Sequence, residues 1–379
     1  MQGRRETSMP EPLRVLAVAT YPELAAATRY RILQYLPFLR EDGIEMDVRP
    51  FLTDRTFAGL YDRGKVIRTA FGVLAGLVRR ASDAARLDEY QAVFVQREAA
   101  LVGPPVFERL VHARLPMVLD LDDSTYIDRK SEVFGVVASV LKWRGKTDSL
   151  IRWSDHAVCG NSTIAAYAAG LGTPTSVQPS IVDLGLFRPR GERPPGELVI
   201  GWMGSHSTFP YLQTLLPTLR RLAETHRFRL RVIGAGAGVS SISGLEGEVA
   251  PWTMESEVAD LQSFDIGLYP IIADEWGAGK SGLKAIQYLS CGIPYVASPV
   301  GVVGELGVPG ITHLEARCED EWRESLARLL DDADLRAAMS RRARAYAEEH
   351  FSVRQAASSL ATVLRSVVAN REQKKSNRR

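Results

Sequence analysis

Runs of apolar residues alternate along this chain with stretches in which apolar positions recur every third or fourth residue. Residues 13–20 (LRVLAVAT) are almost continuously apolar, as in a parallel strand buried on both faces, and 23–39 then carry helical spacing. The same reading predicts strands at 43–51, 92–96, 115–121 and 156–159, each separated from the next by a helical stretch. Strand signals resume at Leu198 (LVIGWMG) and recur at Leu230, Asp265 and Pro294, after a break, RPRGERPPGE, at 188–197. Alternation that starts twice implies an α/β chain of two doubly wound parallel sheets, and the proline, glycine and charge of the break mark a linker. The expected domains are 1–187 and 198–352, followed by a helix over 353–370 and a basic, disordered tail over 371–379.

Length agrees, since 379 residues exceed a single ordinary core. The 47 basic and 45 acidic residues nearly cancel, so bulk charge gives no reason to expect nucleic acid as a partner. Cys159, Cys291 and Cys318 are too widely spaced for a disulfide framework or a clustered zinc site, which fits a reducing compartment. The first residues, MQGRRETSMPEP, contain no apolar run, and no window reaches the ~20 apolar residues of a spanning helix, so a cytoplasmic protein is expected.

Candidate chemistry concentrates at 265–300 (DIGLYPIIADEWGAGKSGLKAIQYLSCGIPYVASPV), which reads as strand, glycine-broken loop, helix and strand. A loop feeding a helix start suits an anion, because the first N–H groups lack partners and the helix dipole is positive there. Lys280 and Lys284, four apart, can both face that point, although two solvated lysines on a surface turn would leave the same pattern. In IGWMGSHST (200–208), Gly204 would let a phosphate approach backbone N–H groups and Ser205 could donate to it, while a lone histidine such as His206 is more often structural than catalytic. The run GAGAG at 234–238 invites a dinucleotide reading. It fails, because the last glycine position falls on Val239 and no helical period follows.

In the first half, Arg29 and Arg31 fall beside the end of the first strand, and Arg97 and Glu98 follow the strand VFVQ. Asp120, Asp122 and Asp123 come directly after another strand, and three carboxylates this close require a partner, a metal or a raised pKa. Asp123 could also cap a helix, as Asn161 and Ser162 could before TIAAYAAG. The stretch 66–80 places Ile67, Phe71, Leu74 and Val78 on one helix face with Arg68, Arg79 and Arg80 near it. Such a helix can lie on an anionic membrane or pack its apolar face on its own sheet, and 134–146, ending LKWRGK, raises the same question.

Lys280, Lys284, Gln287 and Tyr288, followed by Gly292, Pro294, Ser298, Pro299 and Gly301, resemble the donor element of GT-B glycosyltransferases of family 4, in a subgroup with K-x-x-x-K-x-x-Q-Y. The T-R-Y-R at Arg29, the Q-R-E at Arg97 and the D-x-D-D at Asp120 are similar to that subgroup too. The resemblance implies two Rossmann-like domains facing across a cleft, with the last helix crossing back to the first. It implies a nucleoside diphosphate sugar as co-substrate, no other cofactor, no metal, a glycan, lipid-linked or small-molecule acceptor, and retention of configuration by front-face attack. Donor binding would fall to Gly204, Ser205, His206, Lys280, Ser281, Gly282, Lys284 and Gln287. Asp122, Asp123 and Arg29 would be catalytic, with Arg97, Asn161 and Trp252 elsewhere in the cleft and Trp252 near the nucleotide base. Family members meeting lipid-linked acceptors would make membrane contact through 66–80 and 134–146.

Two departures qualify this. The family's paired glutamates, the first near the transferred sugar and the second on the ribose, fall here on Gly279 and Gln287, and its basic pair after IGWMG is reduced to His206. Read alone, D-x-D after a strand also matches the manganese motif of the other large glycosyltransferase architecture. A nucleotide-sugar epimerase of the same fold and a non-catalytic nucleotide-sugar-binding module stay open beside the transferase.

Overall fold

The computed structural model describes residues 11–377 apart from 61, 128–142, 144, 192–195, 237 and 240. The first sheet joins β1 (Leu13–Ala19), β2 (Ile44–Pro50), β3 (Ala92–Gln96), β4 (Met117–Leu121), β5 (His156–Cys159) and β6 (Thr175–Val177), all parallel, in the order β2-β1-β3-β4-β5-β6. β3 and β4 are buried at every position, so their unbroken apolar character reflects helices on both faces.

The second sheet comprises β7 (Val199–Met203), β8 (Arg229–Ile233), β9 (Gly247–Ala250), β10 (Ile266–Tyr269), β11 (Tyr295–Ala297) and β12 (Leu314–Glu315), again parallel, ordered β12-β11-β10-β7-β8-β9. Strand order turns back between β1 and β3 in one sheet and between β7 and β10 in the other. Chain leaving the carboxyl ends at such a point diverges and opens a crevice, which fixes where ligands can enter each half.

The last helix, Val353–Ser376, lays Ala357, Leu360, Ala361, Leu364 and Val367 against Val15, Ala17, Phe94, Val118 and Val158 of the first domain. It continues through six residues of the tail that composition marks as disordered, held by Arg371 donating to His112 O at 2.8 Å. Of the 188–197 linker, residues 192–195 lie outside the described residues, and beside them Arg190 pairs with Asp265.

Helix Val66–Ala85 does not pack its apolar face inward. It buries Thr69, Gly76, Arg80 and Asp83, and leaves Ile67, Phe71, Leu74 and Val78 exposed. Most of 134–146 lies outside the described residues, but Lys146 is buried, donating to Ala100 O and pairing with Glu98 at 2.9 Å, so it is no membrane-facing cation.

Candidate active site

At the carboxyl end of β4 every aspartate has a cation. Arg31, itself fully buried, grips Asp120 through Nε at 3.0 and 3.2 Å. Burial pushes the Asp120 carboxyl up, against the pull of Arg31. Arg97 holds Asp122 with two bonds of 2.5 and 2.8 Å. Burial would raise Asp122 as well, but Arg97 and then Arg31 carry it below the usual carboxylate range. Arg97 does this from φ 59°, the left-handed region that any Cβ disfavours, and it is the sole non-glycine there among the described residues. Asp123 is less tied. It lies 3.6 Å from Arg97 and 3.5 Å from Lys280, which reaches over from the second domain.

Asp122, which the resemblance makes catalytic, is held by both oxygens against Arg97. Both D-x-D carboxylates are paired with guanidinium groups, Asp120 with Arg31 and Asp122 with Arg97. The Asp123 carboxylate faces Arg97 and Lys280.

Across the cleft, helix Leu283–Cys291 starts from Gly282 at φ 70°, with no side-chain cap. A side chain at 282 would be strained by that φ, and its Cβ would fall 2.4 Å from Leu306 Cδ1. The first-turn N–H groups therefore lack a capping acceptor beside Ser281, Lys280 and Lys284. Lys284 stands over the ring faces of Trp202 (5.7 Å) and Tyr269 (5.4 Å), the ends of β7 and β10, with no carboxylate partner among the described residues. Burial, and then Lys280 nearby, lower its pKa from 10.5 to about 8. Lys280 is held over Trp276 at 4.4 Å, and its carbonyl accepts from Asn161 Nδ2 at 3.0 Å. Asn161 thus ties the domains while its Oδ1 caps the Ser162–Gly170 helix through Ile164 N at 2.8 Å.

In the loop after β7 the backbone N–H groups expected to meet a phosphate have partners within the protein. Gly204 N donates to Ile233 O at 2.9 Å and Ser205 N to Thr208 Oγ1 at 3.0 Å, so both backbone groups are already used. Gly204 is glycine for packing, because a Cβ there would meet the Trp202 ring at 2.3 Å. The Ser205 and His206 side chains are exposed on the same loop, where Ser205 Oγ meets Ser207 Oγ at 2.9 Å.

Gln287, at the second family-glutamate position, donates to Glu257 Oε1 at 3.1 Å, and Glu257 also accepts from Arg29 Nη1 at 2.8 Å and Tyr30 OH at 3.0 Å. Arg29 lies 5.2 Å from the Trp252 ring, with Nε and Nη2 buried and without acceptors among the described residues. Arg29, Trp252, Glu257 and Gln287 therefore form one polar junction between the domains.

Comparison with known proteins now bears on this geometry. Residues 197–332 match the family model described as glycosyl transferases group 1. A comparison with curated proteins finds no match. Among solved structures, sucrose-phosphate synthase from Thermosynechococcus elongatus superposes with a TM-score of 0.68 at 13% identity, covering 94% of this chain and 100% of its own. HepE of Anabaena in complex with UDP-glucose gives 0.65 at 14%, covering 93% and 100%. A putative UDP-N-acetylglucosamine 2-epimerase from Listeria monocytogenes gives 0.59 at 11%, covering 94% and 96%. The fold is GT-B.

Within this GT-B frame, the structure brings Asp123, Arg97, Lys280, Lys284 and Asn161 to one point of the cleft and Arg29, Trp252 and Gln287 to another. Gly279, where the first family glutamate would stand, has no room for a side chain: a Cβ would lie 1.5 Å from Ser124 Oγ of the opposite domain. The acid that sequence reading missed is Glu257, which is buried. A local signal existed. Glu257 lies one helical turn before Leu261, on the side that faces the core.

Proposed function

We propose that this chain is a glycosyltransferase that moves a sugar from a nucleoside diphosphate sugar to a glycan, lipid-linked or small-molecule acceptor. The observation that carries the reading is Lys284, a half-buried ammonium without a counter-ion among the described residues, set at an uncapped helix start where the second sheet's strand order turns back. The group 1 match over this half and the UDP-glucose named with the Anabaena structure support the same ligand class.

In this reading Lys284 and Lys280 neutralise the charge that builds on the departing diphosphate. Lys280 exchanges Asp123 for the donor, which frees that carboxylate to orient an acceptor hydroxyl beside Arg97. Gln287 and Glu257 offer an amide and a carboxylate to ribose hydroxyls, and the role of the missing glutamate passes in part to Glu257. Transfer proceeds with retention and without a metal, a donor phosphate oxygen taking the acceptor proton.

Titrating UDP into the parent and into Lys284→Ala tests the site. Loss of a charge-assisted contact of about 1.5–3 kcal/mol predicts roughly 10- to 100-fold weaker binding in the variant. Equal binding would move the diphosphate elsewhere. The epimerase reading has the Listeria likeness in its favour and is separated by product: a UDP-sugar incubated alone should not yield its C2 epimer.

A further inference from the structure

Glu98 N donates to Gln96 O at 2.7 Å, closing a three-residue turn centred on Arg97 just beyond β3. With φ 59° at its centre, the turn is of the rare, strained kind that a residue with a Cβ leaves when nothing holds it. It is held from outside. Thr20 Oγ1 donates to Gln96 O at 3.2 Å and to Glu98 O at 2.8 Å, spanning the turn. Ala99 N donates to Glu108 Oε1 at 2.9 Å, Ala99 O accepts from Arg80 Nε at 2.6 Å, and Ala100 O accepts from Lys146 Nζ at 2.5 Å. Lys146 also pairs with the Glu98 carboxylate at 2.9 Å.

Glu108, Arg80 and Lys146 come from three helices, Val106–Arg114, Val66–Ala85 and Lys146–Trp153, and are only 1%, 4% and 7% exposed. Three buried ionisable groups committed to one short loop need a reason. Stability is a poor one, since buried ion pairs are often no more stabilising than apolar side chains of the same volume. Burial pushes the Glu108 carboxyl up and the Arg80 guanidinium down, the mark of a desolvation that their partners do not fully offset. What the loop does instead is aim Arg97, whose guanidinium meets Asp122 at 2.5 and 2.8 Å and Asp123 at 3.6 Å.

We infer that Glu108, Lys146 and Arg80 are positioning residues for the cleft: by fixing residues 98–100 they keep Arg97 in its left-handed turn, and so set where the Asp122 and Asp123 carboxylates stand. Released from that turn, Arg97 relaxes to negative φ, which redirects its side chain. Resting on the transferase reading, the Asp123 carboxylate placed in this way is the one that orients the acceptor hydroxyl.

Thermal melts of the full chain test the clamp without donor or acceptor. Arg97→Ala and Arg97→Gly both lose the guanidinium and differ only in the Cβ that the turn disfavours, so the glycine variant should melt higher by about 2–4 °C. Adding Lys146→Met to each should abolish or reverse that difference, because a released turn no longer favours glycine, whose unfolded chain is the looser. Glu108→Gln keeps an amide oxygen for Ala99 N and should preserve the difference, whereas Glu108→Leu should remove it, so this pair decides the matter even where Lys146→Met does not fold. No advantage of glycine over alanine in the parent background, or the same advantage in every background, overturns the inference. With Arg97 intact, Lys146→Met should leave UDP affinity unchanged and lower turnover of UDP-glucose, read as UDP released, about tenfold. Unchanged turnover would confine the clamp to stability and overturn its positioning role, as would a matching loss of UDP affinity. A parent that releases no UDP would count against the transferase reading, and the melts would still decide the clamp.

Discussion

Lys284 sits where folding disfavours a cation and a diphosphate would favour one. Its pKa of about 8, below the ordinary 10.5, means that between those values the unfolded chain holds a proton that the folded chain has released. Stability therefore rises with pH through that window, and the cost of the buried charge is present in full below about pH 8. Lys284→Met should raise the melting temperature at pH 7, by about 1–3 kcal/mol of stability, with the advantage fading by about pH 10. Paired thermal melts at the two pH values check this, and a variant less stable than the parent at pH 7 would show that the ring contacts outweigh the desolvation. In the parent, UDP binding should weaken as pH rises past 8, because the neutral amine no longer answers a phosphate. At this scale the sequence was partly legible. The spacing of Lys280 and Lys284 pointed to a helix start, but the occupied N–H groups of Gly204 and Ser205 were missed, although Ser205 and Thr208, three apart, are a familiar local capping pattern.

Among the elements, the strands were the easiest to read because burial on both faces leaves short unbroken apolar runs between helical stretches. Helix Val66–Ala85 shows the limit of the same method. Periodicity says which residues share a face, whereas the direction of that face depends on what lies opposite, here the carbonyls of Ala19, Arg49 and Ala99, to which Arg80 donates. The loop before helix Leu283–Cys291 depends on its neighbour in the other domain in the same way. Gly279→Ala should force that loop from Ser124, lowering both stability and transfer, and adding Ser124→Gly should recover much of the loss. A double-mutant cycle with no coupling between the two positions would show that the domains do not meet there.

For the molecule as a whole, closure rests on contacts that join distant parts of the chain. Arg29 and Tyr30 meet Glu257, Asn161 meets the carbonyl of Lys280, and Ser162 meets Glu305 at 2.6 Å. Arg29 and Glu257 are 228 residues apart, which is why no local pattern could have paired them. Glu257→Gln would leave Arg29 buried with no anion, so the cleft should open, measured as a larger radius of gyration in solution scattering, and UDP affinity should fall with it. An unchanged radius would place the closing force in the Asp123 and Asn161 contacts.

The return of the last helix to the first domain has a consequence for synthesis. As the chain leaves the ribosome, β1, β3, β4 and β5 emerge early together with Ile32, Tyr35 and Leu39, yet the cluster of Val15, Ala17, Phe94, Val118 and Val158 is completed only by Leu360, Ala361 and Leu364, near the end. Through translation of the entire second half, the nascent protein presents a partly covered sheet face, the kind of surface that chaperones bind and that aggregates when they do not. The half made first is the half finished last.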